Sequence, residues 1–440
     1  MSALESPPGR AAATPWTCPF CPLLCDSFSV EAGVDGLSLT GSDCSRARSG
    51  LARFSATTAS AQTSAHAQID GVACDPAAAI AAAARVLAAS RQPLFGGLGT
   101  DVAGARALYP LACLTGAICD PAGGAALLRS LRAVQDRGGF TTTLAEVRSR
   151  ADLIVCVGSW PDERYPEFMR RCGVGEGGAA RVVLLQAASA SGGANVEGVE
   201  VVRFDGDLFD GAGMLATCVA GRDEGFLRYL RTGRTSARAG VGVPGTLAAL
   251  AARLHASRYA VLVYEPGQLP VQGELIIEMI NRIVSTLNQR TRAAALPLGG
   301  GDGASTVNAV FTWLSGLPLR TRAAPAGLEH EPLRFDATRL LAERSVDALL
   351  WIASFGTEPA PPSVDLPRVI LGHPSFATAL QGSAPTVFIP VSTPGIGSVG
   401  HLFRTDGSVL MPLRALRDDG LPSVADVLGR LSQALRGAAA

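Results

Sequence analysis

Four cysteines near the amino terminus are the residues whose type and spacing most readily do chemistry. They stand in Trp16-Thr-Cys18-Pro-Phe-Cys21-Pro-Leu-Leu-Cys25-Asp26, with Cys44 following, a C-x2-C-x3-C-x18-C spacing. Three thiolates on a tight loop plus a distant fourth can surround a [4Fe–4S] cube, whose usual ligand set is four cysteines. Zinc also accepts four thiolates, in tetrahedral geometry. A retained but empty cysteine loop is the third reading, and all three stay open at this point. Ser45-Arg46-Ala-Arg48 sets two arginines beside the last cysteine, which equally reads as the solvated start of a helix.

Composition bounds what can position these residues. A chain of 440 residues predicts two or three domains sharing a large core. Apolar residues make up 48% and charged residues 17%, which excludes a disordered chain. The net charge is zero and every basic residue is arginine, with no polybasic run, so nucleic acid is not an expected partner. No uninterrupted apolar run approaches the length of a membrane span. The amino terminus has no signal-peptide core, so the expected compartment is the cytoplasm, where the ten cysteines stay thiols rather than form a disulfide framework.

The elements alternate. Asp75 followed by Pro76 caps a helix running through an alanine-rich stretch. The strand Pro93-Leu-Phe-Gly-Gly follows, with Gly96, Gly97 and Gly99 leading into a helix from Asp101 through Leu114. These glycines match a phosphate-cradling turn poorly, and close packing is the expected reason for them. Cys113 and Cys119 are expected as core thiols. Strands are predicted at Leu153–Val157, Arg181–Leu185, Tyr259–Tyr264, Val346–Ile352, Arg368–Leu371 and Val387–Pro390, with an amphipathic helix over Gly273–Asn288. Strands alternating with helices predict an α/β fold, mainly parallel sheets with helices on both faces.

The stretch Asp120-Pro-Ala-Gly-Gly-Ala-Ala126-Leu127 through Ala133-Val-Gln-Asp136, the Thr141-Thr-Thr143 run and the Gly158-Ser-Trp160-Pro161 turn carry a resemblance. So do Asn308, Thr312-Trp313, Gly316-Leu-Pro318 and the segment Gly400-His401-Leu-Phe-Arg404-Thr-Asp406-Gly407. Together with the cysteine motif they resemble the B subunit of formylmethanofuran dehydrogenase, a molybdopterin oxidoreductase-like family, and its counterpart in the bacterial formyltransferase/hydrolase complex. The resemblance implies domains I–III of the formate dehydrogenase/DMSO reductase type, with no C-terminal β-barrel domain. The implied divisions are a cysteine segment over 1–52, a discontinuous α/β domain over 53–135 and 246–440, and an inserted α/β domain over 136–245.

In the active archaeal form a cysteine that ligates tungsten or molybdenum is followed by a histidine. The resemblance sets those positions at Ala126 and Leu127, neither of which can ligate a metal or move a proton. Trp160 stands where relatives have the asparagine of a Gly-x-Asn-Pro turn, and Gln186 begins the segment where they have Asp-Pro-Arg. The Gly299–Gly303 loop lacks the Arg, His and Asn of their Arg-Gly-His-x-Asn-Val-x-Gly sequence. Val399 and His401 replace a glutamate and a threonine, and His401 is expected at the surface. The resemblance therefore implies a non-catalytic structural subunit without molybdopterin, acting in tetrahydromethanopterin-linked oxidation of formaldehyde to formate. Its implied partners are the hydrolase A subunit, the C subunit and the small D-like formyltransferase. The rival reading is an active tungsten or molybdenum bis-pterin dehydrogenase with a [4Fe–4S] cluster.

Overall fold

The computed structural model describes residues 14–33, 36–54, 66–162, 164–175, 180–190, 198–221, 245–377, 380 and 384–439. The sequence reads as a small-residue loop over 187–196 and as a connection between domains over 219–245; of these, 191–196 and 222–244 lie outside the described residues. The chain divides into two compact units, Met1–Gly124 with Gly300–Ala440, and Ala125–Gly299.

The first unit is built on a seven-stranded sheet. Its order is Val72–Cys74, Ala67–Ile69, Thr386–Pro390, Arg368–Gly372, Ala348–Ala353, Pro93–Gly99, Ile118–Pro121. The last five are parallel, and the first two form an antiparallel hairpin turning at Asp70-Gly71. The parallel strands read as unbroken apolar runs because helices cover both faces, and every residue of Ala348–Ala353 is buried. Gly96 and Gly97 make room for the neighbouring strand: a Cβ at either would stand within 3 Å of the Trp351 indole. These glycines serve packing, as expected, though against a tryptophan rather than a helix.

Helix starts follow local chemistry. Asp75 accepts from the Ala77 amide ahead of Pro76–Ala89, and Asp101 accepts from Gly104 ahead of Val102–Thr115. Gly116 ends the latter in the left-handed conformation. On that helix Leu108, Leu111 and Ala112 are buried, whereas Cys113 is exposed. The expectation of a core thiol fails there because the helical period carries Cys113 off the packed face; Cys119, on a central strand, is buried as expected.

The second unit carries a five-stranded, wholly parallel sheet in the order Val199–Phe204, Arg181–Ala187, Leu153–Val157, Tyr259–Tyr264, Arg292–Pro297. The Gly273–Leu287 helix buries Ile276, Ile280, Ile283, Val284 and Leu287 in its core. Tyr259–Tyr264 pairs with Leu153–Val157 residue for residue. Residues 246–299, grouped from sequence with the first α/β domain, thus carry strands of the second sheet.

Candidate functional site

Doubly wound sheets bind ligands beyond the carboxyl ends of their strands, where the strand order reverses. Reversal falls between Pro93–Gly99 and Ala348–Ala353 in the first unit, and between Leu153–Val157 and Tyr259–Tyr264 in the second. The cysteine segment and these two strand ends are the places where chemistry would be built.

Cys18, Cys21, Cys25 and Cys44 are all buried, none more than 5% exposed. The loop closes on itself through the Cys18 amide, which donates to the Cys25 carbonyl at 2.9 Å, and through Leu24, which turns in the left-handed region at φ 44°. Cys44 sits at the start of the Ser45–Ala52 helix. In the first turn of that helix, the Arg46 guanidinium donates to the Phe20 carbonyl at 3.0 and 3.2 Å and ties the helix to the loop. Burial above all, with the nearby Cys21, Cys25 and Cys44, pushes the Cys18 thiol well up. Burial also pushes Cys21 up to about 11, against the pull of Arg46 and with a smaller push from Cys44. Cys18 and Cys21 therefore hold their protons at neutral pH. Four thiols are the donor set of an iron–sulfur cluster, but among the described residues no group of three or more His, Cys, Asp or Glu is arranged to hold a metal ion.

At the end of the first sheet the chain supplies its own filling. Phe54 stacks on Phe20 at 6.3 Å between centroids and meets the His373 ring edge-on at 4.9 Å. His373 is 1% exposed, and burial, with Arg53 and Arg417 adding to it, pushes the ring down to about 4, so it is neutral. Glu358, 7% exposed, lies against Gly99, where a Cβ would stand 2.3 Å from its Oε1. Asp302, from the Gly299–Gly303 loop, accepts from the Thr357 hydroxyl at 3.0 Å. Arg404 and Asp406 form a buried pair at 2.6 Å, and the Thr405 amide donates to the Pro22 carbonyl of the cysteine loop. His401 is exposed, as expected.

At the end of the second sheet, Glu265 follows Tyr259–Tyr264 and is 2% exposed. It accepts from the Ser159 hydroxyl at 2.6 Å, and from Arg164 through Nε at 2.5 Å and Nη2 at 2.8 Å. Arg164 also donates to the Trp160 carbonyl, so the Gly158–Pro161 turn is tied down by its own ion pair. Gln186 is buried near the end of the Arg181–Ala187 strand. Ala126 and Leu127, both half-buried, fall in the first turn of the Gly124–Arg137 helix. Sequence reasoning passed over Glu265, Arg164, Asp302 and Glu358. The available signal was an acid placed on or just after the end of an apolar strand, as in Tyr264-Glu265.

No protein-family model matches this chain. It is 32% identical over 346 residues to the B subunit of the formyltransferase/hydrolase complex Fhc of Methylorubrum extorquens, covering 78% of this chain and 89% of that one. It is 25% identical over 422 residues to the B subunit of tungsten-containing formylmethanofuran dehydrogenase 2 of Methanocaldococcus jannaschii, covering 91% and 93%. The crystal structure of the formyltransferase/hydrolase complex (FhcABCD) of Methylorubrum extorquens, in complex with methylofuran, holds a chain that superposes with a TM-score of 0.70. That chain is 30% identical, and the match covers 85% of this chain and all of that one. On sequence and fold together, the chain belongs to the family of formyltransferase/hydrolase complex B subunits, which is related to the B subunits of formylmethanofuran dehydrogenases.

Proposed function

We propose that this chain is a non-catalytic structural subunit of a formyltransferase/hydrolase complex in tetrahydromethanopterin-linked oxidation of formaldehyde to formate. The observation that carries the reading is the pair Ala126 and Leu127, at the positions where the family resemblance implies a metal ligand and a proton carrier. Neither side chain has a donor atom or a titratable group, so the residues present do not fit a ligated tungsten or molybdenum, and no step is routed through one. Glu265 supports the same reading, because the Arg164 guanidinium at that strand end is already taken up by its carboxylate and is not left to bind an anion. We further read the fold as the domain I–III arrangement of formate dehydrogenase-like proteins without the barrel domain.

Cys18, Cys21, Cys25 and Cys44 have the donor chemistry of a [4Fe–4S] cluster, which would supply one-electron transfer, but in this arrangement they do not form a metal-holding group. In a subunit without redox chemistry they act as the packed closure of the amino-terminal segment. Partners are the hydrolase A, C and D-like formyltransferase subunits. The charge-free Ala304–Ser315 helix with its exposed Trp313 supports that assembly. We assign the chain to the cytoplasm, where thiols such as Cys18, Cys21 and Cys44 stay reduced. No helix among the described residues is long and apolar enough to cross a membrane.

Cofactor analysis of the purified complex tests this reading. Acid denaturation is expected to release no pterin, and formate is expected to reduce no viologen dye. A released pterin with formate-dependent dye reduction would install the dehydrogenase reading instead. Iron and acid-labile sulfide distinguish a loaded cluster, at about four of each per chain, from packed thiols.

A further inference from the structure

At the reversal point of the seven-stranded sheet lies a pair of acids that the assembly role leaves unexplained. Glu358 stands in the turn that follows Ala348–Ala353, and its Oε1 accepts from the Phe355 amide at 2.7 Å. Its Oε2 is buried with no hydrogen-bond partner. Asp302 adopts the left-handed region at φ 50° and is bound to Thr357, the residue next to Glu358. A buried carboxylate oxygen without a donor carries its full desolvation cost, and a second carboxylate beside it adds repulsion. One added proton removes the buried charge, and with it most of the desolvation cost and the repulsion.

No cation figures among the groups that act most strongly on Glu358. The groups that face it are Asp302 and the backbone amides of Phe355, Gly356 and Glu358 itself. Arg46 and Arg53 are set against Asp302, while the neighbouring His373 ring, against Gly356, is neutral in the range concerned. Burial first, and Asp302 second, push the Glu358 carboxyl up to about 8. Arg53 donates in turn to the Gly356 carbonyl, so the same turn anchors the end of the Ser45–Ala52 helix.

We propose that Asp302 and Glu358 hold a single proton at neutral pH, and that this proton latches the 354–358 turn, with the cysteine-bearing segment tied to it through Arg53, onto the carboxyl end of the Pro93–Gly99 strand. Loss of the proton leaves two carboxylates in one buried place and opens the latch.

Infrared titration of the full chain, purified as cells assemble it, reads this directly. Ordinary carboxyls are ionised by pH 7, so a carboxylic acid C=O band that persists there and vanishes between about pH 7 and 9 is expected. The band should be missing in Glu358→Gln, and in Asp302→Asn it should vanish at lower pH. Hydrogen exchange, corrected for intrinsic rates, should show the 354–358 amides opening about tenfold more per pH unit between about pH 5 and 8 in the wild type and levelling off above that, and no such rise in Glu358→Gln. Should Glu358→Gln fail to fold, Asp302→Asn still decides. No band at pH 7, a band retained in Glu358→Gln, a titration unmoved in Asp302→Asn, or pH-independent opening in the wild type would each overturn the latch.

Discussion

On the proposed reading, Ala126 stands at the position of the family's metal ligand, and restoring a thiol there should not restore chemistry. Retention of a pterin cofactor is spread over many buried hydrogen bonds, each unmade one costing about 1–3 kcal/mol. Leu127, Trp160 and Gln186 supply none of the groups the relatives use. Ala126→Cys should therefore yield protein without pterin and without formate-dependent dye reduction, and a pterin-loaded variant would refute this. Glu358 offers a second, independent measurement. Its carboxyl is raised in the folded chain from 4.5 to about 8. Its stabilising contribution is whole below pH 4.5 and is lost as pH rises to about 8, on the order of 1 kcal/mol per unit. Glu358→Gln has no proton to lose. The melting temperature of the wild type should thus fall relative to the variant's between pH 5 and 8, and parallel profiles would contradict the shift. At this scale sequence was informative about losses and silent about gains. The reading of Ala126-Leu127 as a lost Cys-His pair comes from the family resemblance, whereas Asp302 reaches Thr357, the neighbour of Glu358, from 55 positions away in the chain, which no motif records.

Among the elements, the Ile118–Pro121 strand shows how a sheet edge is fastened. Its Asp120 is 3% exposed and binds Arg320 in bidentate fashion at 2.9 and 3.2 Å. It also accepts from the Ala337 amide at the start of the Ala337–Ala342 helix. Arg320 holds a left-handed backbone at φ 64° and reaches Asp336 as well. Removing Asp120 would leave a buried guanidinium half-compensated and a helix amide unpaired. Asp120→Ala should destabilise the chain by about 3–5 kcal/mol, read as a fall in the denaturant midpoint, and a loss under about 1 kcal/mol would mean that Asp336 alone suffices. Strands and helices themselves were legible, since Leu153–Val157 and Tyr259–Tyr264 are short apolar runs bounded by breakers, and Asp75-Pro76 announces its helix. The partner of each strand was not. Parallel pairing joins residues about a hundred positions apart, as Ala260 joins Leu153, and no local signal records it. That is why the sequence reading ended the insertion at residue 245, whereas strands of its sheet continue to Pro297.

For the whole molecule, the surface that matters is the one that water should not keep. The Ala304–Ser315 helix carries no charged residue, yet Trp313 is 63% and Leu314 47% exposed. The Trp313 ring lies edge-on to Phe403 at 5.2 Å, which brings the Gly400–Phe403 and Leu410–Leu413 hairpin, with its exposed Leu410, beside it. Leu114 is exposed at the end of Val102–Thr115, a helix that packs on Ala304–Ser315. Asn308, on the same helix, is used internally and accepts from the Leu319 amide, so the charge-free face is not an accident of an unfolded edge. Absence of charge with an exposed tryptophan is the character of an interface centre rather than its rim, and a neighbouring subunit of the complex is the expected occupant. Trp313→Asp sets a charge there while leaving the fold intact, because the side chain buries little in the isolated chain. Truncating a central tryptophan typically costs about 2 kcal/mol or more, equivalent to a loss of more than tenfold in affinity. Co-purification of the A, C and D-like subunits with Trp313→Asp should therefore fall sharply at unchanged melting temperature of the isolated chain. Undiminished recovery of the complex would place the contact surface elsewhere on the molecule.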